Sequence, residues 1–129
     1  MRRGVPSSGR VLVVDDDPAV CALVQDMLSG EGWDVVCAQT DQQAYAAIPI
    51  LPLVALIVDV NLRAGTTGFD VARYARQVIP ALPVLYVSGE ARSGSFRAFG
   101  VPDSGFLSKP FTSDELLAAL DSAVNASGA

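Results

Sequence analysis

Histidine is absent from this 129-residue chain. Its absence removes the usual general base near neutral pH and the usual zinc ligand, and no phosphohistidine can form on the chain. Lysine occurs once, as Lys109, against eight arginines, and the formal net charge is −5. The arginines are scattered and form no basic patch interleaved with aromatics, so direct nucleic-acid binding is not expected. The two cysteines, Cys21 and Cys37, stand in apolar surroundings without a paired-cysteine motif, and buried reduced thiols are expected. No long hydrophobic run is present: residues 48–58 are nearly all apolar, but the stretch is too short to cross a bilayer and is broken by Pro49 and Pro52. The basic start Met1-Arg2-Arg3 is followed by Val5-Pro6-Ser7-Ser8-Gly9, which supplies no apolar segment for a secretory signal. A soluble, cytoplasmic protein without membrane association is the expectation.

Half of the residues are apolar, enough for a core in one domain of this length, and no repeat or low-complexity tract stands out. Short apolar runs alternate with stretches of helical periodicity, the pattern of an α/β fold whose parallel sheet is covered by helices on both faces. Strands are predicted at 11–14, 33–38, 54–58, 84–87 and 105–108. Asp17 and Pro18 open the first helix, with Val20, Leu23, Val24, Met27 and Leu28 at helical spacing, and Gly30 and Gly32 close it. A short helix follows Thr40 or Asp41, with Ala44, Ala47 and Ile48 inward, and stops before Pro49. A third covers about 69–78, with Val71, Ala72, Ala75 and Val78 as its apolar stripe. Over 93–104, Ser93, Gly94, Gly100 and Pro102 leave room for only a short or irregular fourth helix. Thr112 and Glu115 form a capping box for a last helix through about Asn125.

Four of these apolar runs end in reactive side chains. Val14 leads into Asp15-Asp16-Asp17, Val58 into Asp59, Val87 into Ser88, and the fifth run into Lys109-Pro110. In a parallel sheet these ends share one edge, so carboxylates, a hydroxyl and an ammonium meet in one crevice. Taken singly, an aspartate run before a helix is ordinarily a cap, a serine after a strand a loop residue, and a lysine before proline a surface charge. Their joint placement at successive strand ends favours a functional site. Adjacent carboxylates need a counter-charge, and all-oxygen ligation with few protein donors suits Mg²⁺. Asp59, alone at its strand end, is placed as a nucleophile towards phosphorus, with Asp15 and Asp16 holding the metal. Ser88 can donate to a phosphoryl oxygen and Lys109 can supply positive charge.

On these motifs the chain resembles the receiver domains of bacterial two-component response regulators, of the stand-alone, single-domain type. Val11 to Pro18 is similar to the family's acidic-pair strand, Leu56-Ile57-Val58-Asp59 to its phosphoacceptor strand, Val87-Ser88-Gly89 to its hydroxyl strand, and Lys109-Pro110-Phe111 to its lysine motif. The resemblance covers about residues 10–124. It implies a flavodoxin-like (βα)5 domain with strand order 2-1-3-4-5 over residues 10–125; from the sequence itself a flexible tail is expected at 1–9, a short tail at 126–129 and no effector domain. It also implies Mg²⁺ held by Asp16, Asp59 and the backbone carbonyl of Asn61, with Asp15 acting through water, and a cis Lys109-Pro110 bond. The implied reaction moves a phosphoryl group from a phosphohistidine on a sensor histidine kinase or histidine phosphotransfer protein to Asp59, with no turnover of an external substrate. Asn61 and Glu90 match the positions that tune loss of the phosphoryl group, and the pair implies a short-lived phosphorylated state. Ser88 and Phe106 match the hydroxyl and aromatic residues of the family's conformational switch, which signals to a downstream protein; a monomer or weak dimer is expected.

Two departures stand out. Between Asp59 and Gly68 there is one residue more than the family's usual spacing, with Arg63 where proline is usual, and the 93–104 stretch is eroded relative to the usual fourth helix. These leave open a pseudo-receiver, the same fold acting as a constitutive protein-binding or dimerisation module with an idle site. An aspartyl phosphatase is disfavoured, because Asp15-Asp16-Asp17-Pro18 lacks that family's spaced aspartates followed by threonine. A flavodoxin-like FMN carrier is disfavoured because no hydroxyl- and glycine-rich phosphate loop follows the first strand.

Overall fold

The computed structural model describes residues 10–62, 67–89 and 100–128. Five parallel strands form one sheet in the order β2-β1-β3-β4-β5: β1 (Arg10–Val14), β2 (Val35–Ala38), β3 (Leu53–Asp59), β4 (Val84–Ser88) and β5 (Gly105–Ser108). The described helices are α1 (Pro18–Ser29), α2 (Asp41–Ala47), α3 (Gly68–Val78) and the C-terminal α4 (Ser113–Gly128). The expected doubly wound architecture and strand order are those observed.

Side-chain alternation along the strands divides the core in two. Leu12, Val14, Leu56, Val58, Val84 and Tyr86 face α2 and α3, where Ala44, Val71, Ala72 and Ala75 meet them. Val11, Val13, Ala55, Ile57, Leu85 and Val87 face α1 and α4, against Cys21, Val24, Leu28, Leu116 and Leu120. Most of these side chains are fully buried; each large aliphatic among them contributes about 1.5–3 kcal/mol of transfer free energy. The central strands β1, β3 and β4 are covered on both faces and read as continuous apolar runs, whereas the edge strands β2 and β5 are only partly covered.

The helix starts follow their capping chemistry. Asp17 caps α1, its carboxylate accepting from the Ala19 amide at 2.9 Å, with Pro18 at the first position. Thr40 caps α2. Thr67 and Asp70 form a capping box at α3, and Thr112 and Glu115 form the expected one at α4.

Several boundaries differ from the sequence expectation. Strand β2 begins at Val35 rather than Trp33, because the Trp33 amide bonds to the Leu28 carbonyl and its backbone closes the end of α1 instead of joining the sheet. In α3, Val78 is 39% exposed, while Ile79 at the C-cap packs on the core in its place. Helix α4 continues to Gly128, past Asn125. Cys21 is buried as expected but Cys37 is only half-buried; both are free thiols. The expected irregular helix falls largely outside the described residues; of its span, residues 100–104 are described and are not helical. The tail at 1–9 and loop positions 63–66 also lie outside them.

Candidate functional site

The carboxyl ends of β1, β3, β4 and β5 meet, and the ladder itself sets the height of each side chain. Asp15 directly follows β1, where its amide continues the pairing by donating to the Ala38 carbonyl at 3.1 Å. Asp59 is the last residue of β3 and Ser88 the last of β4, with Asp59 in register beside Val87 and Ser88 beside Ser108. One residue beyond β5, the Lys109 amide donates to the Ser88 carbonyl at 2.8 Å, which fixes the root of the lysine. The Lys109-Pro110 bond is cis, as the resemblance implied.

Lys109 Nζ donates to Asp15 Oδ2 at 2.8 Å and to Asp59 Oδ2 at 3.1 Å. One ammonium thus bridges two carboxylates from different strands. Asp15 Oδ1 accepts from the Asp17 amide and Asp59 Oδ1 from the Asn61 amide, each at 3.0 Å, so both carboxylates are held at both oxygens. Asp16 completes the cluster: Asp15, Asp16 and Asp59 each offer an oxygen, all within 4.8 Å of one another, an arrangement able to hold a metal ion.

Burial pushes the Asp59 carboxyl above its ordinary value. The Asn61 amide and Lys109 pull it the other way, and Asp15 adds to the rise. For Lys109, burial alone would lower the value. The hydrogen bond to Asp15 and the attraction of Asp59 and Asp15 outweigh it and hold the ammonium above its ordinary range. The site is therefore a buried cluster in which anionic charge at Asp59 is costly and a nearby cation relieves it.

Most of the residues singled out from sequence converge here: Asp15, Asp16, Asp59, Asn61, Ser88 and Lys109. Ser88 is fully buried at the end of β4, with its carbonyl accepting from the Lys109 amide. Phe106, half-buried on β5, lies one strand over from Tyr86 and packs against the α3-side core, away from the carboxylates. Glu90 falls outside the described residues. An apolar groove of about 420 Å³ opens beside the cluster, lined by Val20, Leu23, Gly89, Lys109, Pro110 and Phe111.

Two contributors escaped the sequence reading. Gly68 starts α3 with its Cα packed on the Asp59 backbone carbonyl, and its amide donates to the Val60 carbonyl at 3.0 Å. No side chain fits between them. A glycine at a helix start was a visible signal, but the surface it packs on was not. Tyr86, a phenol in an otherwise aliphatic strand, is fully buried, and its hydroxyl accepts from the Val101 amide at 3.0 Å. Its polar tip within an apolar run was the available clue.

Comparison with known proteins agrees with the fold that carries this site. A transcriptional regulatory protein of Mycobacterium tuberculosis, TrcR, is 34% identical over 113 residues, covering 86% of this chain and 43% of its own length. The cell cycle response regulator CtrA of Brucella ovis is 28% identical over 92% of this chain and 51% of its own. The chain thus spans about half the length of these curated relatives. Among solved structures, a response regulator receiver protein of Sinorhizobium medicae superposes with a TM-score of 0.86 at 29% identity, covering 93% of this chain and 97% of the other. The chemotaxis protein CheY4 of Vibrio cholerae superposes at 0.78 and 28% identity, over 88% and 96%. The profile of the response regulator receiver domain matches residues 11–121, and the chain belongs to that family.

Proposed function

We propose that this domain is a phosphoacceptor that takes a phosphoryl group from a phosphohistidine on a partner protein onto Asp59 and signals through the resulting change of shape. The observation that carries this reading is the Lys109 ammonium shared between Asp15 and Asp59 beside a three-carboxylate cluster. A cluster of that kind has no evident structural purpose, since its burial raises the cost of ionising Asp59.

In the reaction an Asp59 carboxylate oxygen forms a bond to phosphorus while the P–N bond of the donor breaks, its electron pair returning to the imidazole nitrogen. The product is an acyl phosphate on Asp59. Lys109 answers the charge of the phosphoryl oxygens, and Ser88 donates to one of them. Mg²⁺ fits the all-oxygen donor set; Asp16, Asp59 and the Asn61 carbonyl would hold it, with Asp15 acting through water. When bound it supplies positive charge for the carboxylates and the phosphoryl oxygens. The apolar groove lined by Val20, Leu23, Pro110 and Phe111 beside Lys109 suits the body of a histidine kinase or phosphotransfer protein presenting its imidazole. Ser88 moving towards the phosphoryl group and Phe106 changing rotamer would then alter the surface offered to a downstream protein.

Incubation with Mg²⁺ and acetyl phosphate tests the reading. The expected result is a mass gain of one phosphoryl group that is absent from the Asp59→Asn variant and is lost within minutes of donor removal. No Asp59-dependent gain would leave a constitutive binding module as the better description, and a half-life of many hours would overturn the short-lived state expected from Asn61 and Glu90.

A further inference from the structure

Residues 100–104, which lead into β5, form no helix, and their backbone is held by side chains from other elements. The Tyr86 hydroxyl accepts from the Val101 amide at 3.0 Å. Arg76, near the end of α3, donates to the carbonyls of Leu82 at 2.6 Å, Pro102 at 2.8 Å and Asp103 at 3.4 Å. Ser104 closes the turn on the Val101 carbonyl at 2.6 Å, and Asp103 takes a positive φ of 56°. Arg76 is itself half-buried, but its bonds to Pro102 and Asp103 lie at the surface, where water can replace a lost partner. Tyr86 works in the fully buried interior, where an amide that loses its acceptor has no substitute.

Tyr86 also touches both ends of the proposed signalling path. It stands two residues before Ser88 on the same face of β4. Its ring packs on Phe69 at a centroid separation of 5.1 Å and an interplanar angle of 52°, and Phe69 follows Gly68, the residue seated on the Asp59 carbonyl. Across the sheet its register partner is Phe106. A displacement of the β4 end therefore carries the phenol with it, and the Val101 backbone follows, because parting would strand a buried N–H.

We propose that the Tyr86 hydroxyl is the fastening that transmits a change at the Ser88 end of β4 to residues 100–104 and on to Phe106, making Tyr86 a positioning residue of the switch. This rests on the phosphoacceptor reading. Burial raises the Tyr86 phenol above its ordinary value, so the hydroxyl stays neutral and keeps its proton at physiological pH.

The test compares the native protein with Tyr86→Phe, which deletes one oxygen, by hydrogen exchange of peptides covering residues 100–106, with and without beryllofluoride and Mg²⁺. Phosphorylation is followed separately by mass after acetyl phosphate treatment. In the unmodified state Tyr86→Phe is expected to speed exchange at Val101 about tenfold or more. Beryllofluoride is expected to change exchange over 100–106 in the native protein but not in the variant, while Asp59 gains its phosphoryl group in both. Tyr86→Met serves if the phenylalanine variant does not fold, with the same expectations. Asp59 phosphorylation accompanied by an unchanged 100–106 region in native protein, or by the same response in the variant, overturns this inference alone. Absence of Asp59 phosphorylation overturns the phosphoacceptor reading and this inference with it.

Discussion

Gly68 sits so close to Asp59 that a Cβ at position 68 would fall inside the van der Waals envelope of the Asp59 carbonyl oxygen, with the Val60 Cα at 3.0 Å beyond it. The start of α3 is thereby seated on the backbone that aims the candidate phosphoacceptor. Gly68→Ala must push the helix or the strand end aside, because the obstacle is backbone and cannot rotate away. The expected cost is about 1–3 kcal/mol in urea unfolding, together with amide chemical-shift changes at Asp59 and Asn61. Unchanged shifts there would show that the loop at 61–67 absorbs the insertion without moving the site.

Asp59→Asn is expected to stabilise the metal-free protein. The Asp59 carboxyl lies above its ordinary value in the folded state, so its contribution is fully present below the unfolded-state value of 3.8 and is lost as pH rises through the folded-state value. Each unit of displacement is worth about 1.4 kcal/mol. Thermal unfolding in a chelator should show the variant gaining over the native protein as pH climbs above 3.8 and converging with it below. Adding Mg²⁺ should shrink the gain, because the native site gains a ligand that the variant binds less well. A variant equally or less stable at pH 7 in chelator would contradict the electrostatic description of the cluster.

Lys109→Ala removes the only ammonium from a pair of buried carboxylates. Its side chain is 21% exposed, so water partly replaces it, and a loss of about 1–3 kcal/mol is expected in metal-free buffer. The fold should survive, as judged by circular dichroism. Mg²⁺ should recover part of the loss, and phosphorylation should become uncoupled from partner binding. Normal, phosphorylation-dependent partner capture by the alanine variant would remove Lys109 from the mechanism.

The two thiols should separate cleanly in alkylation experiments. Burial first, then the neighbouring Cys37 thiol, pushes Cys21 up to about 12, and it is packed at the end of β1 with its Sγ 3.6 Å from the Asp15 carbonyl oxygen. Cys37 is half-buried on the edge strand. Iodoacetamide at pH 8 should modify Cys37 while Cys21 reacts only after denaturation, its thiolate fraction being about one in ten thousand. Comparable rates for both in native protein would place Cys21 nearer solvent than the packing indicates.

The strand ends were legible in sequence because each is marked twice, by an apolar run and by a polar residue where the run stops. Asp59, Ser88 and Lys109 are all of this kind. The helix starts were legible for the same local reason, with Asp17, Thr40 and Thr112 each supplying an oxygen for a nearby amide. Illegible features depend on what lies across the fold. Trp33 looked like a strand residue until its amide was found closing α1, Val78 matched the helical period but yielded the core to Ile79, and the buried environment of Tyr86 follows from Val101 and Phe69, neither of which its own neighbours specify.

Lys109 lies 94 residues along the chain from Asp15 and 50 from Asp59, yet one nitrogen bonds both. Because neighbouring strand residues point to opposite faces, a slip of one position in β1, β3 or β5 would turn one of these side chains away from the other two. The cluster therefore exists only where β1, β3, β4 and β5 are paired in register. Any ligand that requires all of it binds only chains in which those four strands are paired, so its binding stabilises their shared register rather than the order of one corner.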